Sequence, residues 1–106
     1  MDSRNAQRAI DALERALDRK DTVGAYLAAA AVLGELLALC YDGEVPPLEE
    51  RFSRLGETPA GARLLPNFEA YARLCIRLDG AVLWRVAGGY PQVTDARRLL
   101  RRILEG

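Results

Sequence analysis

The stretch AYLAAAAVLGELLALCYDG, residues 25–43, decides the fold because it is the most apolar segment of the chain. Glu35 is its only charged residue before Asp42. A helix this apolar can enter a membrane, fill the core of its own chain, or lie against a partner. A membrane span needs about 20 apolar residues and disfavours an acid near its middle. We therefore favour a central core helix over a membrane helix.

The two sides of this helix differ in the size of their residues. On a helical wheel, the large apolar residues cover about two thirds of the circumference. They are Tyr26, Leu27, Val32, Leu33, Leu36, Leu37, Leu39, Cys40 and Tyr41. The remaining sector holds Gly24, Ala28, Ala31, Glu35 and Ala38. We expect the large residues to face the core and the small ones to face water or a close backbone. The wide apolar arc also predicts surface left over for a partner.

The composition of the chain limits the classes of protein to which it can belong. The 106 residues suit one domain, residues 1–106, and the 15 basic and 15 acidic side chains cancel, so no global charge attracts nucleic acid. The chain has no histidine, which excludes His-based catalysis and His-ligated metals. Cys40 and Cys75 lie far apart in apolar runs and are interpreted as reduced core residues. The N-terminus is charged from Asp2, unlike a signal peptide, so we expect a cytoplasmic protein.

The segments on either side of this helix also have helical patterns. In the first helix, capped by Asp2 or Ser3, the buried stripe is expected to comprise Ala6, Ile10, Leu13 and Leu17. Asp21 or Thr22 is predicted to cap the second helix, which we expect to run to residue 41. Gly43 suits the left-handed conformation that follows many helices. A short helix should follow the two prolines at 46 and 47, with an inner stripe of Leu48, Phe52 and Leu55.

Thr58–Pro59 is a helix start signal, with a capping residue followed by proline at the first helical position. The apolar face that follows comprises Leu64, Phe68, Tyr71, Ala72, Cys75 and Leu78. Pro66 either kinks this helix or starts a new one. We expect the helix to continue to about Ala87. In that register Asp79 falls on the apolar face. Either the helix breaks at Asp79–Gly80, or Asp79 is a partly buried acid that needs a partner such as an arginine.

The last helix is predicted to follow the turn GGYPQ, residues 88–92, with Thr94 as its cap. Its inward residues are expected to be Ala96, Leu99, Leu100, Ile103 and Leu104. Together these elements predict an all-α fold, an irregular four-helix bundle with one or two additional short helices. The segment 81–86, AVLWRV, has strand propensity, but no second strand exists to pair with it.

No catalytic, cofactor-binding or metal site is expected. Gly88–Gly89 is followed by tyrosine and proline, which indicates a turn rather than a phosphate-binding loop. Helical di-iron centres use histidine, which this chain lacks. No nucleophile is paired with a base. We therefore expect a protein without enzymatic activity and without a cofactor.

The strongest candidate site is a cluster of basic residues, Arg97, Arg98, Arg101 and Arg102, on the outer face of the last helix. Four guanidinium groups along one face could follow a nucleic-acid backbone or meet an acidic partner. The alternative is a solvated helix face that is charged without a binding role. Trp84 falls off the apolar stripe of its helix. It is either an interface anchor or the cover of a secondary apolar cluster.

Three functions remain open. The leading hypothesis is a non-catalytic helical interaction protein, either a homodimer or a small subunit of a larger complex, because apolar surface is in surplus. The second is a nucleic-acid-associated subunit that uses the C-terminal arginine face. The third is a small-molecule-binding bundle with a cavity lined by Tyr26, Tyr41, Tyr71 and Asp79, although tyrosines buried in an ordinary core explain the same residues more simply.

Overall fold

The computed structural model describes residues 2–77 and 91–105, with side chains for residues 2–73 and 93–105. Within these ranges the chain is all-α, as the sequence predicts, and has no strand. The helices are α1 (Arg4–Asp18), α2 (Thr22–Ala38), α3 (Leu48–Arg51), α4 (Pro59–Arg77) and α5 (Pro91–Glu105). A single turn of 3-10 helix covers Leu55–Glu57.

Helices α1 and α2 form a helical hairpin and make the most extensive contact between helices in the described residues. The connection is tight because Lys20 adopts a left-handed conformation, with a φ of 57°. The N–H of Lys20 donates to the carbonyl of Leu17, and the N–H of Asp21 donates to the carbonyl of Ala16. This pair of hydrogen bonds is the Schellman arrangement that ends many helices. Asp21 then caps α2, as predicted, by accepting from the N–H of Gly24 at 2.9 Å.

The predicted orientation of α2 is wrong over its N-terminal half. Two small residues, Ala25 and Ala29, are buried there, whereas Tyr26 and Leu27 are exposed. Small side chains at the contact let the backbones of two helices approach closely, which explains why alanines rather than large residues face inward. Over the C-terminal half, the expectation that large residues face the core is met by Val32, Leu36 and Leu37, which are buried. Cys40, just beyond the helix end, is buried as well.

The helix also ends earlier than predicted, at Ala38 rather than residue 41. Gly43 has the expected positive φ, 86°, but lies in the loop beyond the helix end. The loop returns to α2 through Arg51, whose guanidinium donates to the carbonyls of Pro46 at 3.0 Å and Gly34 at 3.1 Å. The Tyr41 hydroxyl donates to the Arg51 carbonyl at 2.6 Å. These bonds attach α3 to the C-terminal half of α2.

Leu48 is not the inner residue that its spacing predicts. It is 59% exposed, although its Cδ1 atom lies over Gly34, where an added methyl group would come within 2.6 Å of it. Gly34 therefore provides the space in which Leu48 lies against the backbone of α2. Leu55, from the same predicted stripe, is fully buried, and Phe52 is half-buried.

Helix α4 begins as predicted: the Thr58 hydroxyl accepts from the N–H of Gly61 at 2.8 Å. It continues through Pro66 to Arg77 as one helix. Its inner face buries Leu64, Phe68 and Tyr71 against the core, which confirms this part of the predicted stripe.

Helix α5 differs from the prediction at both ends. It begins at Pro91 rather than after Thr94, because proline suits the first position of a helix. Ala96, Leu99, Leu100 and Ile103 are buried as predicted. Leu104 is not, since it is 46% exposed at the edge of the stripe.

Other sequence predictions concern residues outside the described part of the chain. They include the continuation of the fourth helix to Ala87, the partly buried Asp79, the off-stripe Trp84, the stripe residue Leu78, the segment 81–86 and the start of the turn at residues 88–92. The side chain of Cys75 also lies outside the described side chains. In the part of the chain that is described, no helix combines the length and apolarity needed to cross a bilayer.

Candidate functional site

The four arginines of the predicted basic cluster lie on the exposed side of α5, as expected. Arg97 reaches across to α1, where its guanidinium pairs with Glu14 at 3.0 Å and with Asp11 at 3.4 Å. The hydrogen bond to Glu14 is the main reason that the pKa of Arg97 is raised above its usual value. Arg97 therefore joins α5 to α1 across the protein surface, and much of its charge is already balanced.

Two more arginines of the cluster also bind within the chain. Arg98 pairs with Asp95 at 3.3 Å, and Arg102 donates to the Asn67 side chain at 3.2 Å. The Arg101 guanidinium makes no hydrogen bond or ion pair with residues 2–73 or 93–105. Since Arg97 and Arg98 pair with carboxylates, the cluster offers a nucleic-acid backbone less unbalanced charge than the sequence suggests.

The structure does not bring the predicted tyrosines to one cavity. Tyr26 is 43% exposed on α2, whereas Tyr71 is fully buried on the inner face of α4. Tyr41 lines a different space, at the C-terminal end of α2. Burial raises the pKa of its hydroxyl, which donates to the Arg51 carbonyl.

The space lined by Tyr41 is an open cavity of about 610 Å³ between the end of α2 and the start of α4. Its apolar lining is formed by Leu39, Cys40 and Ile103. Its charged lining is formed by Asp42, Glu57 and Arg63. Roughly 300–1,000 Å³ is usual for small-molecule sites, so the cavity is large enough to hold a ligand.

Cys40 is the only cysteine whose side chain is described, and its thiol is free and buried in this cavity wall. Burial raises the pKa of the thiol to about 11, although the nearby charge of Arg63 acts in the opposite direction. Its sulfur lies 3.9 Å from the carbonyl of Leu36, to which it donates a weak hydrogen bond. A thiol that stays protonated is a poor nucleophile, so Cys40 packs as a small apolar residue.

Acidic and thiol groups are scattered over the described residues. No group of three or more Cys, Asp or Glu side chains that could hold a metal ion lies within residues 2–73 and 93–105.

The feature that sequence reasoning misplaced is the exposed side of α2. We call it the α2 face and define it by Val23, Tyr26, Leu27, Ala30 and Ala31. Val23 is 70% exposed and Leu27 is 62% exposed. These residues lie within an arc of about 140°, since successive residues of a helix are about 100° apart. No charged residue occurs between Thr22 and Gly34, so the whole face is uncharged.

No periodicity could have found this face, because α2 is apolar on every side. The sequence also contains no pattern that predicts the cavity, since the lining residues come from helix ends that are distant in the sequence. Comparison of the chain with models of protein families, with curated proteins and with solved structures found no match.

Proposed function

We infer that the protein is a non-catalytic helical interaction protein that associates with a second copy of itself through the α2 face. The observation that carries this proposal is the exposure of Val23, Leu27 and Tyr26 together on one uncharged side of one helix. Scattered exposed apolar residues are ordinary, but a contiguous row of large ones is a feature of interaction surfaces.

A second copy is the occupant favoured by the charge pattern. In a two-fold dimer both copies use the same surface patch at the interface. A charged residue close to the two-fold axis therefore lies next to the identical residue of the partner. The α2 face carries no charge from Thr22 to Gly34 and avoids this repulsion. In an antiparallel pair of α2 helices, Lys20 at one end lies near Glu35 at the other end of the partner helix, where their charges attract.

The surface is also suited to contact by its shape. Ala30 and Ala31 are small and exposed, so a second helix can approach the backbone of α2 closely. Leu48 lies over Gly34 and extends the row of apolar side chains beyond Ala30. The inner side of α2, which includes Ala25 and Ala29, is already buried, and α2 packs against α1, so little ordering is needed on association.

The size of the face sets the expected strength. From Val23 to Ala31 it is about 12 Å long, at about 1.5 Å per helical residue. Stable interfaces bury about 800 Å² on each partner, and one helix face of this length supplies only part of that area. We therefore expect a dissociation constant on the order of micromolar rather than nanomolar.

Sedimentation equilibrium over a wide concentration range tests the proposal. The wild-type chain should change from monomer to dimer in the micromolar range. Leu27→Glu places two like charges near the two-fold axis and should shift the transition at least about tenfold toward the monomer.

Leu104→Glu is the matched control, because it makes the same change at a half-exposed leucine of α5 and should leave the transition unchanged. Circular dichroism verifies that both variants remain helical. A wild-type chain that stays monomeric at about 100 µM, or equal responses of the two variants, overturns self-association through this face.

A further inference from the structure

We propose that the cavity between the end of α2 and the start of α4 binds a small zwitterion with an apolar body, namely an apolar amino acid or a short apolar peptide. The proposal concerns a site and a ligand class separate from the α2 face. It depends on the combination of an apolar floor with one charge of each sign at the rim that the described side chains leave unpaired.

The floor of the cavity is apolar. Cys40 and Ile103 are each 6% exposed, and Leu39 is half-buried beside them. An aliphatic side chain placed on this floor removes apolar surface from water on both partners, at about 25 cal/mol per Å². The protonated thiol of Cys40 contributes to this surface as a neutral group.

The basic side of the rim is formed by α4. Arg63 lines the cavity, and its guanidinium makes no hydrogen bond or ion pair with residues 2–73 or 93–105. A guanidinium is suited to a carboxylate, which it can bind with two parallel hydrogen bonds. The dipole of α4 also favours a carboxylate here, since Arg63 lies near the N-terminal end of the helix, which carries partial positive charge.

The acidic side of the rim is formed by the loop after α2. The Asp42 carboxylate also has no hydrogen bond or ion pair within the described side chains, and it follows the helix end that favours a cation. Glu57, the other acid of the lining, is engaged by Arg54 at 3.2 Å. Among the side chains that the structure describes, one free cation and one free anion therefore lie at the cavity, and a ligand with an ammonium and a carboxylate matches both.

The rim also contains the Thr58 hydroxyl, which is engaged within the chain because it accepts from the N–H of Gly61 and donates to the Leu55 carbonyl at 3.1 Å. Both charged side chains are exposed to water, so we expect an affinity on the order of millimolar.

Isothermal titration of the full chain with four compounds tests the proposal. L-leucine and L-leucyl-L-leucine keep both charges and distinguish a free amino acid from a peptide. N-acetyl-L-leucine lacks the ammonium, and L-leucinamide lacks the carboxylate. At least one zwitterion should bind, and each singly charged compound should bind about tenfold more weakly.

Variants assign the charges to residues. Arg63→Gln and Asp42→Asn should each lower the affinity for the zwitterion about tenfold. Arg73→Gln, at an exposed arginine of the same helix, is the matched control and should bind as wild type does. Unfolding curves verify that every variant is folded.

An independent readout uses the thiol in the cavity wall. In a Cys75→Ala background, a bound zwitterion should slow the alkylation of Cys40, whereas N-acetyl-L-leucine at the same concentration should not. The proposal is overturned if neither zwitterion binds at about 10 mM, if N-acetyl-L-leucine binds equally well, or if both rim variants bind normally.

Discussion

The two halves of α2 have similar apolar composition and opposite surroundings. From Val32 to Cys40 every leucine, the valine and the cysteine are buried or half-buried. From Thr22 to Ala31 only Ala25 and Ala29 are buried, and the larger residues point to water. The C-terminal half is covered by other parts of the chain, including Leu48 over Gly34 and the Arg51 guanidinium. Burial therefore follows from which elements reach a helix rather than from how apolar the helix is.

The largest expected effect comes from shortening one leucine in each half. Leu36→Ala should lower the free energy of unfolding by about 3 kcal/mol, because Leu36 is fully buried and leaves a cavity. Leu27→Ala makes the same change at a residue that is 62% exposed and should cost less than about 0.5 kcal/mol.

Urea unfolding at a low protein concentration, where the chain is monomeric, measures both leucine variants. Equal costs at residues 27 and 36 would contradict the division of α2 into an open and a covered half.

A second expected effect is a pH dependence of the free energy of unfolding, caused by Cys40, which lies just beyond the covered half of α2. The folded chain holds the pKa of Cys40 at about 11, above its ordinary value of 9.0, because the thiol is buried. Stability from this group is therefore fully present below pH 9 and is lost as the pH rises through about 11, since the unfolded thiol ionises first.

The control for this effect is a comparison of two variants that differ only at Cys40. In a Cys75→Ala background, unfolding free energies from pH 8 to 11 are compared with and without Cys40→Ala, which cancels the titration of Tyr41 and other shared groups. The chain with Cys40 should lose more stability over this range. Parallel curves would show that Cys40 ionises as readily in the folded chain as in the unfolded one.

The sequence predicts most of the fold, and the reasons are local. Ile10 and Leu13 of α1, and Phe68 and Leu64 of α4, are buried as their helical spacing indicates, because one face of each helix is clearly more apolar. The start signals at Asp21 and Thr58 are equally local. Capping at these two positions depends on a side chain and a backbone N–H three residues away, both close in the sequence. The cap predicted at Thr94 is wrong, because the helix begins earlier, at Pro91.

The features that sequence patterns did not predict depend on distant elements. Leu27 and Leu36 look alike in the sequence, and only the position of α1, α3 and α4 around α2 makes one exposed and the other buried. Arg97 was expected to be part of a free basic face, but α1 places Glu14 within 3.0 Å of it. The cavity joins Asp42 to Arg63 only because the end of α2 lies near the start of α4.

A third expected effect tests what covers the C-terminal half of α2. Arg51→Ala removes two hydrogen bonds, to the carbonyls of Pro46 and Gly34, and should lower the free energy of unfolding by about 1–2 kcal/mol. Arg54→Ala is the matched control three residues away. Its ion pair with Glu57 is exposed to water, so the loss of Arg54 should leave the free energy of unfolding nearly unchanged. If the two variants are equally destabilised, Arg51 does not hold α3 on α2.

The smallest expected effect is a gain in stability at the start of the open half. Lys20 has the left-handed conformation that a Cβ atom disfavours by about 1 kcal/mol or more. Lys20→Gly removes this strain, but glycine also gains entropy in the unfolded chain. The net result should be a rise of about 0.5 kcal/mol in the free energy of unfolding, measured by urea denaturation.

The matched control is the neighbouring position, because Arg19 has an ordinary right-handed conformation and Arg19→Gly should therefore be destabilising. A loss of stability in Lys20→Gly as well would mean that the Lys20 side chain contributes more than its backbone strain costs. Because α2 continues directly from this turn, the sign of the effect shows whether the backbone strain or the side chain of Lys20 dominates at the start of the open half.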